Sequence, residues 1–298
     1  MDNNTQASAA LTDDEVIDAF VATKAPSSRR VYVHTIRSFR AWAHRPLREV
    51  HPVLVSAWWQ SLEGQELATR ARKLKTLRSL YRFAQSLGYV TANPFRWIPT
   101  PQPPDRTAQH ILTTDEAQQL IDFVRPMPRV RALVALLLGT GMSIGEVAVA
   151  TWGDVGLLET GDWVLWCRNR AEADQQWVVL RADVFEAVDT WRMECQLAPL
   201  PNRDTTPLFQ HTRLAGIPAS AVALSDLIAR YAHAAGLDAR VTAQWLRNTH
   251  AGLALLYGAG QEQIQQALAL KLPTSVDRYL KGAVSLAART SEYLPLVF

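Results

Sequence analysis

A run of prolines divides the chain. Four of the twelve residues in 99-PTPQPPDRTAQH-110 are proline. Proline locks φ and supplies no N–H, so such a run is extended and semi-rigid and fits neither a helix interior nor a sheet interior. In a chain of 298 residues, a length suited to one or two domains, it predicts two folded bodies, residues 1–98 and 111–298, joined by a spacer at 99–110. The charge changes across it. Residues 24–106 carry 15 Lys/Arg against 4 Asp/Glu, residues 107–298 carry 16 against 19, and residues 1–23 hold five acids and no base. The formal charge of +3 conceals this asymmetry. A module so basic, with so few acids interspersed, carries the electrostatic footprint of a polyanion binder. The alternative is a solvated basic surface.

Other classes are excluded by composition. Hydrophobic residues make up 48% of the chain, enough for packed cores, and the ten tryptophans are expected mostly inside them. Cys167 and Cys195 cannot form a disulfide framework, which predicts a reducing, cytoplasmic setting. The longest apolar run, 132-ALVALLLG-139, falls well short of the ~18 residues of a membrane span. The first residues, MDNNTQASAALTDDEV, lack the basic and apolar regions of a signal peptide.

The first body reads as four helices. Apolar residues recur at helical spacing in 15-EVIDAFVATK-24. Pro26-Ser27-Ser28 offers an N-cap for 29-RRVYVHTIRSFRAWAH-44, with Val31, Ile36, Phe39, Trp42 and Ala43 on the buried face. The third helix is 52-PVLVSAWWQSLE-63, and the fourth, 69-TRARKLKTLRSLYRFAQSLG-88, is closed by Gly88. Within the fourth, Arg72 and Lys75 are three residues apart and share a face, with Lys73 beside them, opposite Leu74, Leu77 and Tyr81. Arg29 and Arg30 open the second helix. These five basic residues are the candidate polyanion contacts. In the second body, Thr113-x-x-Glu116 is a capping box that starts a helix over 113–124, and an apolar helix follows at 130–139. The stretch 161-GDWVLWCRNRAEADQQWVVL-180 alternates apolar and polar residues and predicts strands with a turn. Further helices are expected at 182–197 and 219–236. The whole is mainly α, with a small sheet: an α+β class.

These motifs, in this order, resemble the tyrosine recombinase (phage integrase) family over residues ~12–280. The first body, ending in 88-GYVTANP-94, resembles the family's helical SAM-like core-binding domain. The second resembles its catalytic domain. Within it, 140-TGMSIGEVAVATWGDV-155 is similar to the family's Thr-Gly-Leu-Arg-Ile-Ser-Glu-Leu and Trp-x-Asp-Val, with Ser143 where the family has Arg. The run 241-VTAQWLRNTHAGLALLYGAGQEQIQQALALKLPTSVDRYL-280 is similar to His-x-x-Arg-His-Thr, an apolar helix, Leu-Gly-His and, nine residues later, Tyr. Here the two His positions are Gln244 and Leu270, the Arg is Arg247, the residue after it is Asn248, and the Tyr is Tyr279. The family's hairpin Lys falls at Ala171.

The resemblance implies a chemistry and also a deficit. In the family a Tyr hydroxyl attacks a DNA phosphodiester, leaving a 3′-phosphotyrosine and a free 5′-hydroxyl, with no metal and no cofactor. Two arginines hold the developing charge through bidentate contacts. A Lys protonates the leaving oxygen and His groups assist. Only Tyr279 and Arg247 remain of that set. Loss of one charged group of this kind costs about 10³–10⁵ in rate by analogy with arginine fingers. The expectation is therefore a catalytically inactive, sequence-specific binder of double-stranded DNA, an accessory or architectural factor of a mobile element, plasmid or phage. Arg29, Arg30, Arg72, Lys73 and Lys75 would carry the contact with DNA. An active recombinase is the alternative, with Arg168, Arg170 or Arg240 replacing the lost charge; a protein-interaction module without DNA is a third reading. Tyr279 can equally be a packing residue of an amphipathic 276-VDRYL-280, and Arg247 can grip a phosphate or pair with Glu146. Leu270 predicts an apolar pocket. The apolar tail 283-AVSLAARTSEYLPLVF-298, through Leu294, Leu296, Val297 and Phe298, would dock on a second protomer or pack in cis. A catalytic recombinase is a further expected partner; a membrane is not.

Overall fold

The computed structural model describes residues 11–170, 176–237, 240–270 and 272–290. The chain divides into two compact units, Met1–Pro104 and Asp105–Phe298. The tail residues Leu294, Leu296, Val297 and Phe298 and the hairpin position Ala171 lie outside the described residues.

The first unit contains α1 (Asp13–Ala22), α2 (Pro26–Ala43), α3 (Pro52–Ser61) and α4 (Leu67–Ser86). A capping box between Thr12 and Glu15 starts α1. The expected Ser cap of α2 is not used. Instead the helix begins at Pro26, behind Ala25, which makes no side-chain cap bond, because proline's fixed φ suits the first helical position. The core gathers Phe20, Ile36, Phe39, Trp58, Leu74, Leu77, Leu80, Tyr81 and Phe95. Of the five residues assigned to the buried face of α2, Ile36, Phe39 and Ala43 are buried, whereas Val31 and Trp42 are 39% and 37% exposed. Their positions lie at the edges of a stripe narrower than the apolar spacing implies.

Arg78 joins α4 to the chain that follows it. Its Nε and Nη2 both donate to the Phe95 carbonyl, at 3.2 and 3.1 Å. Nη1 donates to Thr100 Oγ1 at 2.6 Å, and Nη2 also reaches the Ile98 carbonyl. The Asn93 amide donates to the Arg78 carbonyl at 2.9 Å and accepts from the Phe95 N–H at 3.0 Å. The segment after Gly88 is thus laid along α4, and the Phe95 ring enters the core against Phe39, Trp58 and Tyr81.

The second unit contains α5 (Thr114–Val124), α6 (Pro128–Thr140), α7 (Ile144–Val149), α8 (Ala182–Glu194), α9 (Ala221–Ala234), α10 (Ala243–Leu256), α11 (Gln261–Ala267) and α12 (Asp277–Thr290). The capping box of Thr113 and Glu116 is formed. A three-stranded antiparallel sheet, β1 (Val155–Leu157), β2 (Trp163–Trp166) and β3 (Trp177–Val179), has the order β1-β2-β3. Helix α6 is the centre of this unit: Val130, Leu133, Val134, Leu136 and Leu137 are all at most 4% exposed. It packs on α8 through Gly139, where an added Cβ would stand 2.3 Å from Val184 Cγ2. It ends at Gly141, at φ +68, where a Cβ would meet His250 at 2.6 Å and Leu268 at 2.7 Å. The strands are shorter than the alternation over 161–180 implies, because a 3₁₀ turn at Arg168–Arg170 takes over after β2. The tryptophans correct a second expectation. Trp58 and Trp152 are buried, while Trp97 is 72% exposed and Trp166 is 42% exposed. Among the described residues no helix is long and apolar enough to cross a membrane.

Replacing Arg78 with Met keeps the aliphatic stem and removes every bond from α4 to residues 95–100. A loss of about 3 kcal/mol is expected, since hydrogen bonds from a charged donor are each worth about 1.5–3 kcal/mol and share one side chain here. The check is the denaturant midpoint of the first unit's transition, which should fall at unchanged m-value.

Candidate active site and basic helix face

Arg247 lies at the middle of the residues singled out in the second unit. Helix α10 carries Gln244, Arg247 and Asn248 in one turn. The Arg247 side chain is only 12% exposed. Nη1 donates to the Gly141 carbonyl at 2.8 Å and to Glu146 Oε2 at 3.4 Å, and Nη2 donates to the Leu268 carbonyl at 2.7 Å. The Tyr279 hydroxyl lies near the same guanidinium. Burial pulls the Arg247 pKa below its ordinary value, with Glu146 and Tyr279 opposing it. Of the two roles open to Arg247, pairing with Glu146 is the one seen. Gln244 donates to Asn248 Oδ1 at 2.8 Å.

Glu146 is shared. Ser143, which stands where the resemblance expects Arg, is the N-cap of α7. Its N–H donates to Glu146 Oε2 at 2.6 Å, and its hydroxyl accepts from the Glu146 N–H at 3.3 Å. The Arg170 Nε donates to Glu146 Oε1 at 2.5 Å. Arg170 is 3% exposed, and its Nη1 and Nη2 are buried without a hydrogen-bond partner. Burial alone would raise the Glu146 carboxyl. The hydrogen bond and charge of Arg170, aided by the Ser143 cap, overrule it and hold the carboxyl below the usual carboxylate range. Arg168, two residues away, turns elsewhere, donating to Asp154 Oδ1 at 3.0 Å and to Thr151 Oγ1 at 2.8 Å. Cys167 is pushed up to about 11, chiefly by burial, and stays a neutral thiol. Arg240 is engaged in an interaction of its own.

Tyr279 is 4% exposed and packs with Ala251, Ile264, Leu268 and Val276, with Leu270 partly buried against them. The surroundings of Leu270 are apolar, and Tyr279 is packed among them. Its hydroxyl nevertheless faces Arg247. Sequence reasoning passed over His250. Its Nδ1 lies 2.8 Å from the Leu138 carbonyl, and burial lowers its pKa, so that the neutral ring donates there. The signal was available, a lone His two residues after Asn248 on an apolar helix. Thr249 was also missed; its hydroxyl accepts from the Leu112 N–H at 2.9 Å and ties the start of the unit to α10.

On the first unit the five basic residues separate by role. Arg72 and Lys75 are exposed along α4, and Arg30 is exposed on α2. Among the described residues none of these three has a hydrogen-bond or ion-pair partner. Lys73 donates to Gln65 Oε1 at 2.9 Å. Arg29 donates to the Lys24 and Ala22 carbonyls, closing the end of α1. It remains exposed, with Nη1 unengaged in these two bonds.

The phage integrase family model matches residues 110–285. That is more than half of the chain, and the protein belongs to this family of tyrosine recombinases. Curated relatives include the tyrosine recombinase XerC of Thermodesulfovibrio yellowstonii, 25% identical over 248 residues and covering 80% of each chain. Another is the XerC of Oceanobacillus iheyensis, 27% identical over 227 residues, covering 74% of this chain and 72% of the relative. Among solved structures, a lambda integrase (75–356) dimer bound to a COC′ core site matches with TM-score 0.68 at 17% identity, over 90% of this chain and 95% of that one. The post-cleavage complex of XerH recombinase with its palindromic difH substrate matches with TM-score 0.69 at 16% identity, over 95% and 85%. At such identities the structures establish the fold.

Glu146→Ala leaves two buried guanidiniums without their carboxylate, and a loss of about 3–5 kcal/mol is expected, read as a lower denaturant midpoint of the second unit. The pH dependence has a definite sign. His250 binds a proton less readily folded than unfolded, where its value is 6.5. Its contribution is therefore complete above pH 6.5 and declines as pH falls below it. Midpoints measured from pH 7.5 to 5 should drop, and His250→Gln should flatten that slope.

Proposed function

We propose that the protein is a site-specific binder of double-stranded DNA, built on the recombinase frame, in which Tyr279 does not cut. It serves a mobile element, plasmid or phage as an accessory or architectural factor, working with a separate recombinase or occupying that enzyme's site. The observation that carries this reading is the fate of the replaced positions. Ser143 caps α7, Gln244 bonds to Asn248, and Leu270 packs beside Tyr279. None of these can donate a proton to a leaving 5′ oxygen or stabilise a phosphoryl transition state by charge. DNA contact is supported by the solved relatives, a lambda integrase dimer bound to a COC′ core site and XerH recombinase bound to palindromic difH. It is supported also by the free cationic face of Arg72 and Lys75, which would contribute phosphate contacts and some base reading.

A second reading, strand transfer through Tyr279, is favoured by one observation: Arg170 brings a second guanidinium beside Glu146 and Arg247. The two readings separate in one experiment. Selection from a random duplex library over a salt series should enrich a motif whose affinity falls steeply with salt. Arg72→Ala/Lys75→Ala should reduce that affinity by tenfold or more and lower the salt slope by about two. A nicked suicide duplex carrying the motif should give no covalent adduct. A denaturation-resistant adduct that disappears in Tyr279→Phe would replace the first reading with the second, and absence of duplex binding at low salt would end both.

A further inference from the structure

A cavity of about 460 Å³ in the second unit opens between the start of α6, the end of α8 and one face of α9. None of its lining residues belongs to the Arg247–Tyr279 corner. Its volume falls in the range of small-molecule sites, which are mainly apolar with a few placed polar groups. Val130 and Leu224 are buried in its wall, and Leu227, Trp191 and Tyr231 are half-buried along it. One side is closed by the loop from Leu208 to Ala219. There the Ala219 N–H donates to the Phe209 carbonyl at 2.8 Å and the His211 N–H to the Ile217 carbonyl at 2.7 Å. That loop fixes two of the lining side chains. Trp191 Nε1 donates to the Leu208 carbonyl at 2.9 Å, and Arg129 Nη2 donates to the Gln210 carbonyl at 2.6 Å. The walls are held by the fold's own bonds, which lowers the ordering cost of a ligand.

The polar groups left over in this cavity are mostly donors. Arg129 Nε is buried without a hydrogen-bond partner, and Nη1 has none among the described residues. Buried polar groups are almost always satisfied, so the exception calls for a water or a ligand. Glu194 and Arg230 share the lining, and neither they nor Arg129 makes an ion pair among the described residues. His211 Nδ1 accepts from the Arg213 N–H at 3.2 Å, so the neutral ring carries its proton on Nε2 and can donate there. Helix α6 begins at the cavity, behind Met127, without a side-chain cap, and its first turn adds positive potential. A water would meet one donor and leave the apolar wall uncovered. A carboxylate accepts from a guanidinium through charge-assisted bonds, and a ring covers apolar and aromatic walls. Glu194 opposes a second negative charge. We propose that this cavity binds an aromatic monocarboxylate, with its carboxylate at Arg129 and His211 and its ring among Trp191, Leu224 and Leu227. The inference does not rest on the DNA-binding reading, since it uses neither the α4 face nor Tyr279.

The test is calorimetric titration of the full chain with 4-phenylbutyrate and with 4-phenylbutyramide, its neutral counterpart. The wild type should bind the acid saturably and the amide at least tenfold more weakly. Arg129→Gln should lose tenfold or more in affinity for the acid and bind acid and amide alike. Ala223 is an exposed lining residue of α9. Ala223→Trp fills the cavity without removing any side-chain bond, and it should abolish binding of both compounds. Circular dichroism checks that each variant folds, and Ala223→Trp decides alone if Arg129→Gln does not. Four results would overturn the proposal: no saturable binding of the acid, equal affinity of the wild type for acid and amide, a preference for the acid that survives in Arg129→Gln, or undiminished binding in Ala223→Trp.

Discussion

Glu146 is one carboxylate on which three separate stretches of the second unit converge. Ser143 caps it from within the start of α7, Arg170 reaches it from the turn after β2, and Arg247 reaches it from α10. A carboxylate 9% exposed would be costly to ionise alone. Here the charge is retained, because a guanidinium at 2.5 Å and a backbone N–H at 2.6 Å replace lost water. The same bonds extend outward. Arg247 holds the Gly141 carbonyl at the end of α6 and the Leu268 carbonyl after α11, so the segment leading to Tyr279 is registered on the carboxylate's partner. Gly141 makes room for this: its left-handed backbone lets α6 stop under His250 and Leu268, where any Cβ would collide.

Among the described residues, the departures at Ser143, Gln244 and Leu270 each have a local structural role. Ser is a far better N-cap than Arg, and Ser143 completes a reciprocal capping box with Glu146. Gln244 settles on Asn248 one helical turn away. Leu270 extends the apolar lining around Val276 and Tyr279. Two partners of catalytic type, an arginine and a tyrosine, therefore sit in a corner otherwise made of caps, amides and methyl groups. The proposed function rests on these replacements at the described positions Ser143, Gln244 and Leu270.

In the first unit, arginine serves two ends. Arg78 is directed inward and converts the chain after α4 into part of the core by bonding three residues of it. Arg29 donates to the carbonyls that end α1 through Nε and Nη2. Arg72 and Lys75 project from α4 opposite Leu74 and Leu77, with no partner among the described residues. Net charge on a sequence does not separate these uses, because a cation pays for its burial only through partners that are distant along the chain.

Much was legible before any coordinates. The two compact units divide at Pro104, within the proline run, while Thr107–His110 of the expected spacer forms a 3₁₀ turn of the second unit. The 3.6-residue spacing set the helices to within a few residues, and Thr113 with Glu116 announced α5, because a cap needs only residues three apart. The order of motifs from Thr140 to Tyr279 placed the chain in its family. What local pattern could not decide was which polar groups meet. Val31 and Trp42 fit the apolar stripe of α2 and yet face out; Arg29 and Arg72 look alike in sequence and differ in use. Arg170 and Glu146 are 24 residues apart, and Arg247 and Glu146 are 101 apart. Their convergence depends on the turn after β2 and the docking of α10 against α6, which are set by packing across the unit. Sequence determined the elements, the family and the residue types at the motif positions; tertiary structure alone decided that Arg170 would be buried against the carboxylate that Ser143 caps, because that contact depends on packing across the unit.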